Sequence, residues 1–135
     1  MVHILDSTLE SVDSAEALAL QAARVAGLDE DDLQKVAMAV RESMVNAVVH
    51  GNRYNAHKKV RMSISPGPVQ FTVRIADEGE GFDFENIPDP LAPENLLRSS
   101  GRGIFLIRAF MDEFQVRRLN PKGTEVTLTK YLVSK

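Results

Sequence analysis

Glu42 and Asn46 stand four residues apart and interrupt a mostly apolar stretch, residues 40–49. On a helix that spacing puts both side chains on one face, about one turn apart. A buried polar group without a partner costs about 1–3 kcal/mol. Two such groups on one side therefore suggest a shared polar ligand, although the pair also fits a surface stripe facing water. Asp77-Glu78-Gly79-Glu80-Gly81 directly follows an alternating apolar stretch. A carboxylate at a strand end is well placed to accept a hydrogen bond from an amino group. The two glycines let the backbone turn sharply and let a flat ligand come close. With two glutamates the loop is a poor phosphate cradle and suits a base or sugar better; an ordinary Asp/Gly turn is the competing reading. Ser99-Ser100-Gly101-Arg102-Gly103 leads into a helical pattern. A helix start offers free N–H groups and partial positive charge to an anion, and Arg98 and Arg102 add full charge. A glycine-rich cap with no ligand would look the same. The segment lacks the Gly-Lys-Ser/Thr ending of a Walker loop, which excludes that scheme. His50 reads as a capping or packing residue before Gly51, and His3, His50 and His57 lack metal-ligand spacing. Ser43, Ser99 and Ser100 have no convincing His and Asp partners for a nucleophilic triad.

These residues need elements to hold them. Residues 2–6 form a short candidate strand. Residues 14–26 predict a helix with an apolar side of Ala17, Leu18, Leu20, Ala22 and Val25, stopped by Gly27. A second helix is expected to begin near Asp29, whose neighbours Glu30, Asp31 and Asp32 put negative charge at the positive helix end. It buries Leu33, Val36, Ala37, Val40, Met44, Ala47 and Val48 at steps of three and four, and ends at Gly51. Val60, Met62 and Ile64 alternate with polar residues, as do Val69, Phe71, Val73 and Ile75. The turn Ser65-Pro66-Gly67-Pro68 between them predicts an antiparallel hairpin. Residues 77–100 read mostly as loop, of the long kind that often serves binding. Residues 103–112 predict a third helix with Ile104, Leu106, Ile107, Phe110 and Met111 mostly buried, and residues 114–118 and 125–132 a closing hairpin. The order strand, helix, helix, hairpin, loop, helix, hairpin fits an α/β two-layer sandwich. Its sheet is expected to be mixed but mostly antiparallel, with three helices on one face.

Composition sets the frame. A chain of 135 residues with 44% hydrophobic content fits one domain, residues 1–135. It has no cysteine, so disulfides and thiolate metal sites are excluded. No apolar run reaches the roughly 20 residues of a membrane span, and the first six residues lack the marks of a secretory signal. The expectation is a cytoplasmic protein without membrane contact. A net charge of −3 gives no general attraction to nucleic acid. The short basic clusters Lys58-Lys59-Val60-Arg61 and Arg117-Arg118 read as solvated strand faces.

Taken in order, the motifs resemble a known family. Residues 42–51, Glu42 to Gly51, resemble the N-box helix of the Bergerat, or GHKL, ATP-binding fold. Asp77 to Gly81 is similar to its first glycine box, Gly101-Arg102-Gly103-Ile104 to its second, and Gly123-Thr124-Glu125-Val126 to its last glycine-threonine element. The His50-Gly51-Asn52 ending and the short chain resemble the bacterial anti-sigma-factor serine/threonine kinases, a branch of the histidine-kinase-like ATPases.

The resemblance implies ATP and Mg²⁺ as ligands. Asn46 would bind the metal, and Glu42 would be the catalytic base for a substrate serine. Asp77 would accept from the adenine amino group, with Thr124 supporting that contact, with or without a bridging water. Gly79 and Gly81 would shape the adenine and ribose side. Ser100, Gly101, Arg102 and Gly103 would wrap the phosphates, with Arg98 as a further cation. The implied partners are a sigma factor and an antagonist protein carrying the target serine, and the implied assembly is a homodimer. The activity expected on this basis is that of an ATP-dependent protein-serine kinase and anti-sigma factor. The alternative is a non-catalytic ATP-binding switch that sequesters a regulatory partner.

Overall fold

Two side chains decide where the long helices begin. In the computed structural model, which describes residues 1–79, 107–119 and 122–132, Thr8 caps α1 (Leu9–Ala26) by accepting from the Ser11 amide. Asp29 caps α2 (Glu30–Val45) by accepting from the Asp32 amide at 2.9 Å. Each cap satisfies an amide that a helix start leaves open and contributes about 1 kcal/mol. The cap at Thr8 starts α1 five residues before the expected Ser14. Gly27 ends it as expected, with a left-handed φ of 98° that a glycine adopts without strain.

The expected apolar side of α1 is met in part: Leu18, Leu20 and Ala22 are half-buried against the core. Ala17 is exposed and Val25 is 85% exposed, whereas Val12, Ala15, Ala19 and Ala23 are buried. These follow one another at steps of three and four, and three of them are alanines, so α1 can lie close against α2. A helix rich in alanine shows little contrast between its faces, so its sequence pattern does not fix its orientation. All seven residues expected on the core face of the second helix are buried, five on α2 and Ala47 and Val48 just beyond it. The helix does not stay α-helical to its end, however. It widens into a π-helical turn, Asn46–Gly51, after which the Asn52 amide donates to Ala47 O, five residues back, at 2.8 Å.

Five strands form one sheet: β1 (Val2–Leu5), β2 (Val60–Pro66), β3 (Gln70–Ala76), β4 (Glu113–Arg118) and β5 (Thr124–Tyr131). They lie in the order β1-β2-β3-β5-β4, and every pairing among the described residues is antiparallel. The register sets Met62, Ile75, Val126 and Val116 in one row and Ile64, Val73, Leu128 and Phe114 in the next. Directly paired residues share a face, and these rows pack under α1 and α2 to make the core. The other face carries Arg61, Arg74, Glu125 and Thr127. This is the expected two-layer α/β sandwich. Val69, expected in the hairpin core, is 66% exposed, because the turn reaches as far as Gln70, whose carbonyl accepts from Gly67 N at 2.9 Å.

Of the third expected helix, residues 107–110 are helical and 103–106 lie outside the described residues. Ile107 and Met111 are buried as expected, but the helix stops before Met111. The next residue, Asp112, donates its amide to Thr129 O at 2.9 Å and so enters the sheet. Lys130, on β5, is 7% exposed and donates to Phe110 O at 3.0 Å, near Asp32 at 3.6 Å and Asp112 at 3.7 Å. Among the described residues no helix is long and apolar enough to cross a membrane.

Candidate functional site

Because β5 lies beside β3, the chain that leaves β3 runs past the start of β5. The Asp77 amide donates to Thr124 O at 2.9 Å. The Asp77 carboxylate is buried, and its Oδ1 accepts from Gly79 N at 2.9 Å and from Thr124 N at 3.3 Å. Burial raises the pKa of this carboxyl above the ordinary 3.8, while the two amides and the Lys58 ammonium pull it back down.

The end of the π-helical turn meets this carboxylate. A Cβ on Gly51 would fall 2.3 Å from Asp77 Oδ2, and one on Gly79 would fall 1.9 Å from Gly51 O. Side chains at these two positions would push the helix end and the strand end apart. The helix that carries Glu42 and Asn46 therefore ends directly against the Asp77 turn. Glu42 is half-buried. Asn46 opens the π-helical turn, and its backbone amide donates to Glu42 O and Ser43 O. The residue is 3% exposed, and among the described residues neither its Nδ2 nor Thr124 Oγ1 has a hydrogen-bond partner. Buried polar atoms are nearly always paired, so these two are candidates for ligand contact. π-helical turns often occur at functional sites, and this one begins at Asn46.

Of the residues singled out in the sequence, Glu42, Asn46, Asp77, Gly79 and Thr124 lie on these three adjoining segments. Gly81, Arg98, Ser100, Gly101, Arg102 and Gly103 lie outside the described residues. In the sequence Asn52 stands only as the end of the His50-Gly51-Asn52 motif, and no pattern marks Ser7. Both are buried: Asn52 bonds to Ser7 Oγ, Lys59 O and the Glu78 amide. The only local signal was a polar residue after a helix-ending glycine, because the partners lie as many as 45 residues away.

Residues 5–130 match the family model described as the histidine kinase-like ATPase domain. The chain belongs to this family. Within it, similarity runs to proteins named for their activity. The serine-protein kinase RsbW of Bacillus subtilis (strain 168) is 31% identical over 112 residues, which cover 78% of this chain and 69% of that one. The anti-sigma F factor of Bacillus thuringiensis (strain Al Hakam) is 36% identical over 117 residues, covering 82% of this chain and 79% of the relative. Among solved structures, the RsbU and RsbW domains of a Mycobacterium tuberculosis protein match with a TM-score of 0.60 at 20% identity. That match covers 96% of this chain and 31% of the larger one, and establishes likeness of fold.

Proposed function

We propose that the protein is an ATP-dependent protein-serine kinase and an anti-sigma factor, which binds a sigma factor and phosphorylates a serine of an antagonist protein. Similarity to the named kinase and anti-sigma relatives supports the activity, and the observation that carries its proposed nucleotide site is the buried Asp77 carboxylate, with Oδ1 held by two backbone amides and Oδ2 set over Gly51. A carboxylate so fixed is pre-oriented to accept from the exocyclic amino group of adenine, with Oδ2 as the accepting oxygen. Thr124 Oγ1, without a partner among the described residues, fits a second contact there, direct or through water. Gly79 and Gly81 are the residues proposed to flank the adenine and ribose.

Mg²⁺ fits the Asn46 side chain. The buried amide has an unpaired end, and a half-turn of its outer torsion offers either oxygen or nitrogen at that end. Bound there, the metal would neutralise charge on the phosphates, which phosphoryl transfer requires. Ser100, Gly101, Arg102 and Gly103 are the proposed phosphate loop, with Arg98 as a further cation. Glu42, one helical turn before Asn46, is the proposed general base. It takes the proton from the substrate serine as the serine oxygen bonds to the terminal phosphorus. The bond from that phosphorus to the bridging oxygen breaks, and ADP leaves with the electron pair. A base of this kind contributes about 10²–10⁴-fold to rate. The proposed assembly is a homodimer.

The test is to incubate the protein with labelled ATP, Mg²⁺ and a candidate antagonist, beside Glu42→Gln. Phosphoserine should form with the first and almost none with the second, while both bind ATP. Equal transfer by the two proteins would remove Glu42 from the mechanism. ATP binding without transfer to any antagonist would favour a non-catalytic switch.

A further inference from the structure

Asn52 has no part in the chemistry above, yet it is 1% exposed and bonds in three directions. Its Oδ1 accepts from the Glu78 amide at 2.8 Å. Its Nδ2 donates to Ser7 Oγ at 2.8 Å and to Lys59 O at 3.1 Å. Ser7 is buried as well, and its hydroxyl donates to Lys58 O. The Lys59 amide closes the loop by donating to Glu78 Oε2 at 2.9 Å. Three distant pieces of chain meet here: the junction of β1 with α1, the connection from α2 to β2, and the turn after β3.

The position of Glu78 gives this network its meaning. Glu78 lies between Asp77 and Gly79, and the Gly79 amide is one of the two that hold Asp77 Oδ1. Asn52 thus grips the middle of the turn that aims the carboxylate. Arg53 and Tyr54, which follow it, have φ of 52° and 59°, a left-handed conformation that is costly for residues with side chains. The segment holds that shape between the Asn52 side chain and the Tyr54 amide, which donates to Val48 O at 3.0 Å. Oδ1 and both Nδ2 hydrogens are engaged, which leaves the Asn52 amide no freedom to flip.

We infer that Asn52 is a positioning residue for base recognition, which fixes the Asp77-Glu78-Gly79 turn through the Glu78 amide and ties it to Ser7. The inference rests on the nucleotide-site reading above for its functional consequence, and on the hydrogen bonds alone for its structural one. A residue that merely stabilised the fold would loosen the whole sheet when removed. One that positions the turn loosens the turn first.

Amide exchange followed by NMR in the ligand-free protein separates the two. In Asn52→Ala the Glu78 and Gly79 amides should exchange at least tenfold faster, with the β3 and β5 amides of Val73 and Leu128 unchanged. Asn52→Asp keeps an acceptor for Glu78 but sets a second acceptor against Lys59 O, and should restore only part of that amide's protection. Ser7→Ala, which removes only the anchor behind Asn52, should shift the same two amides in the same direction by less. With nucleotide, Asn52→Ala should raise the ATP dissociation constant about tenfold and narrow the preference for ATP over GTP. Unchanged protection at Glu78 and Gly79 in Asn52→Ala would overturn the inference, as would equal loss at Val73 and Leu128. If Asn52→Ala does not fold, unaltered Glu78 and Gly79 exchange in Ser7→Ala would overturn it. A wild-type protein that binds no ATP would instead defeat the nucleotide-site reading, while the exchange pattern would still decide whether Asn52 holds the turn.

Discussion

Replacing Asp77 with asparagine keeps the shape of the turn and removes its charge. The side-chain oxygen can still accept from Gly79 N and Thr124 N, at 2.9 and 3.3 Å in the native structure. Each bond weakens when its acceptor is neutral, since charged hydrogen bonds contribute about 1.5–3 kcal/mol and neutral ones about 0.5–1.5. Relief from burying a charge works the other way. The direction of the native pKa decides which effect is larger. Burial holds the carboxyl above 3.8 despite the two amides and Lys58. A raised carboxyl stabilises the fold fully below its unfolded pKa, and that contribution is lost as pH rises through the folded value. At neutral pH the ionised group therefore weighs against the fold, and Asp77→Asn should leave the ligand-free protein as stable as the wild type or slightly more so.

Nucleotide binding should respond in the opposite sense. The oxygen that would meet the adenine amino group is replaced by a donor, and leaving a buried donor unpaired costs about 1–3 kcal/mol, up to about 100-fold in affinity. ATP at 100 times the wild-type dissociation constant stabilises the wild type by about 2.7 kcal/mol; after a 100-fold loss the same ATP gives only about 0.4 kcal/mol. For a domain of this size, at about 3–5 °C per kcal/mol, the ATP-dependent rise in Tm should fall from about 10 °C to about 2 °C. Calorimetric scans of both proteins with and without ATP and Mg²⁺ measure it. A full ATP-dependent rise in Asp77→Asn would refute the assignment of Asp77 to the base. A fall of several kcal/mol in the ligand-free variant would show that the carboxylate is structural.

Gly79→Ala should destabilise the protein by about 1–3 kcal/mol, as overpacking does, because its Cβ would lie 1.9 Å from Gly51 O; denaturant midpoints will show it, and a neutral result would mean that the turn is not pressed against the helix end. ATP affinity should be lost as pH falls through the raised pKa of Asp77, hence at a pH above the ordinary 3.8. Titration calorimetry at stepped pH, with Asp77→Asn as the control that lacks this transition, tests the point, and identical curves for the two proteins would contradict it. Lys130→Met leaves Phe110 O without its donor and removes the cation near Asp32 and Asp112; a loss of about 1–3 kcal/mol in denaturant unfolding is expected. Arg41 bridges to Asp13 at 2.9 Å and Glu16 at 3.5 Å across the two long helices, but these pairs are largely exposed, so Arg41→Ala should cost less than about 1 kcal/mol in the same assay.

Much of this could be read from the chain alone, where the signal was local. The core face of α2 was legible because Leu33 to Val48 repeat at helical spacing, and its start because Asp29 supplies a cap. The β2–β3 hairpin was legible from strict alternation around a Pro-Gly turn, and Asp77 from its place at a strand end before glycines. The start and buried face of α1 were not, since an alanine-rich helix shows little contrast between its sides. The remaining features depend on pairs far apart in sequence. That β5 lies between β3 and β4 puts Thr124 beside Asp77, and no pattern within either segment encodes that order. The same holds for the burial of Lys130, the unpaired amide of Asn46 and the bonds that tie Asn52 to Ser7 and Glu78. Periodicity and turn chemistry act over a few residues and so belong to the sequence. Desolvation and partner choice are set by what the rest of the chain brings alongside, and these only the tertiary structure decided.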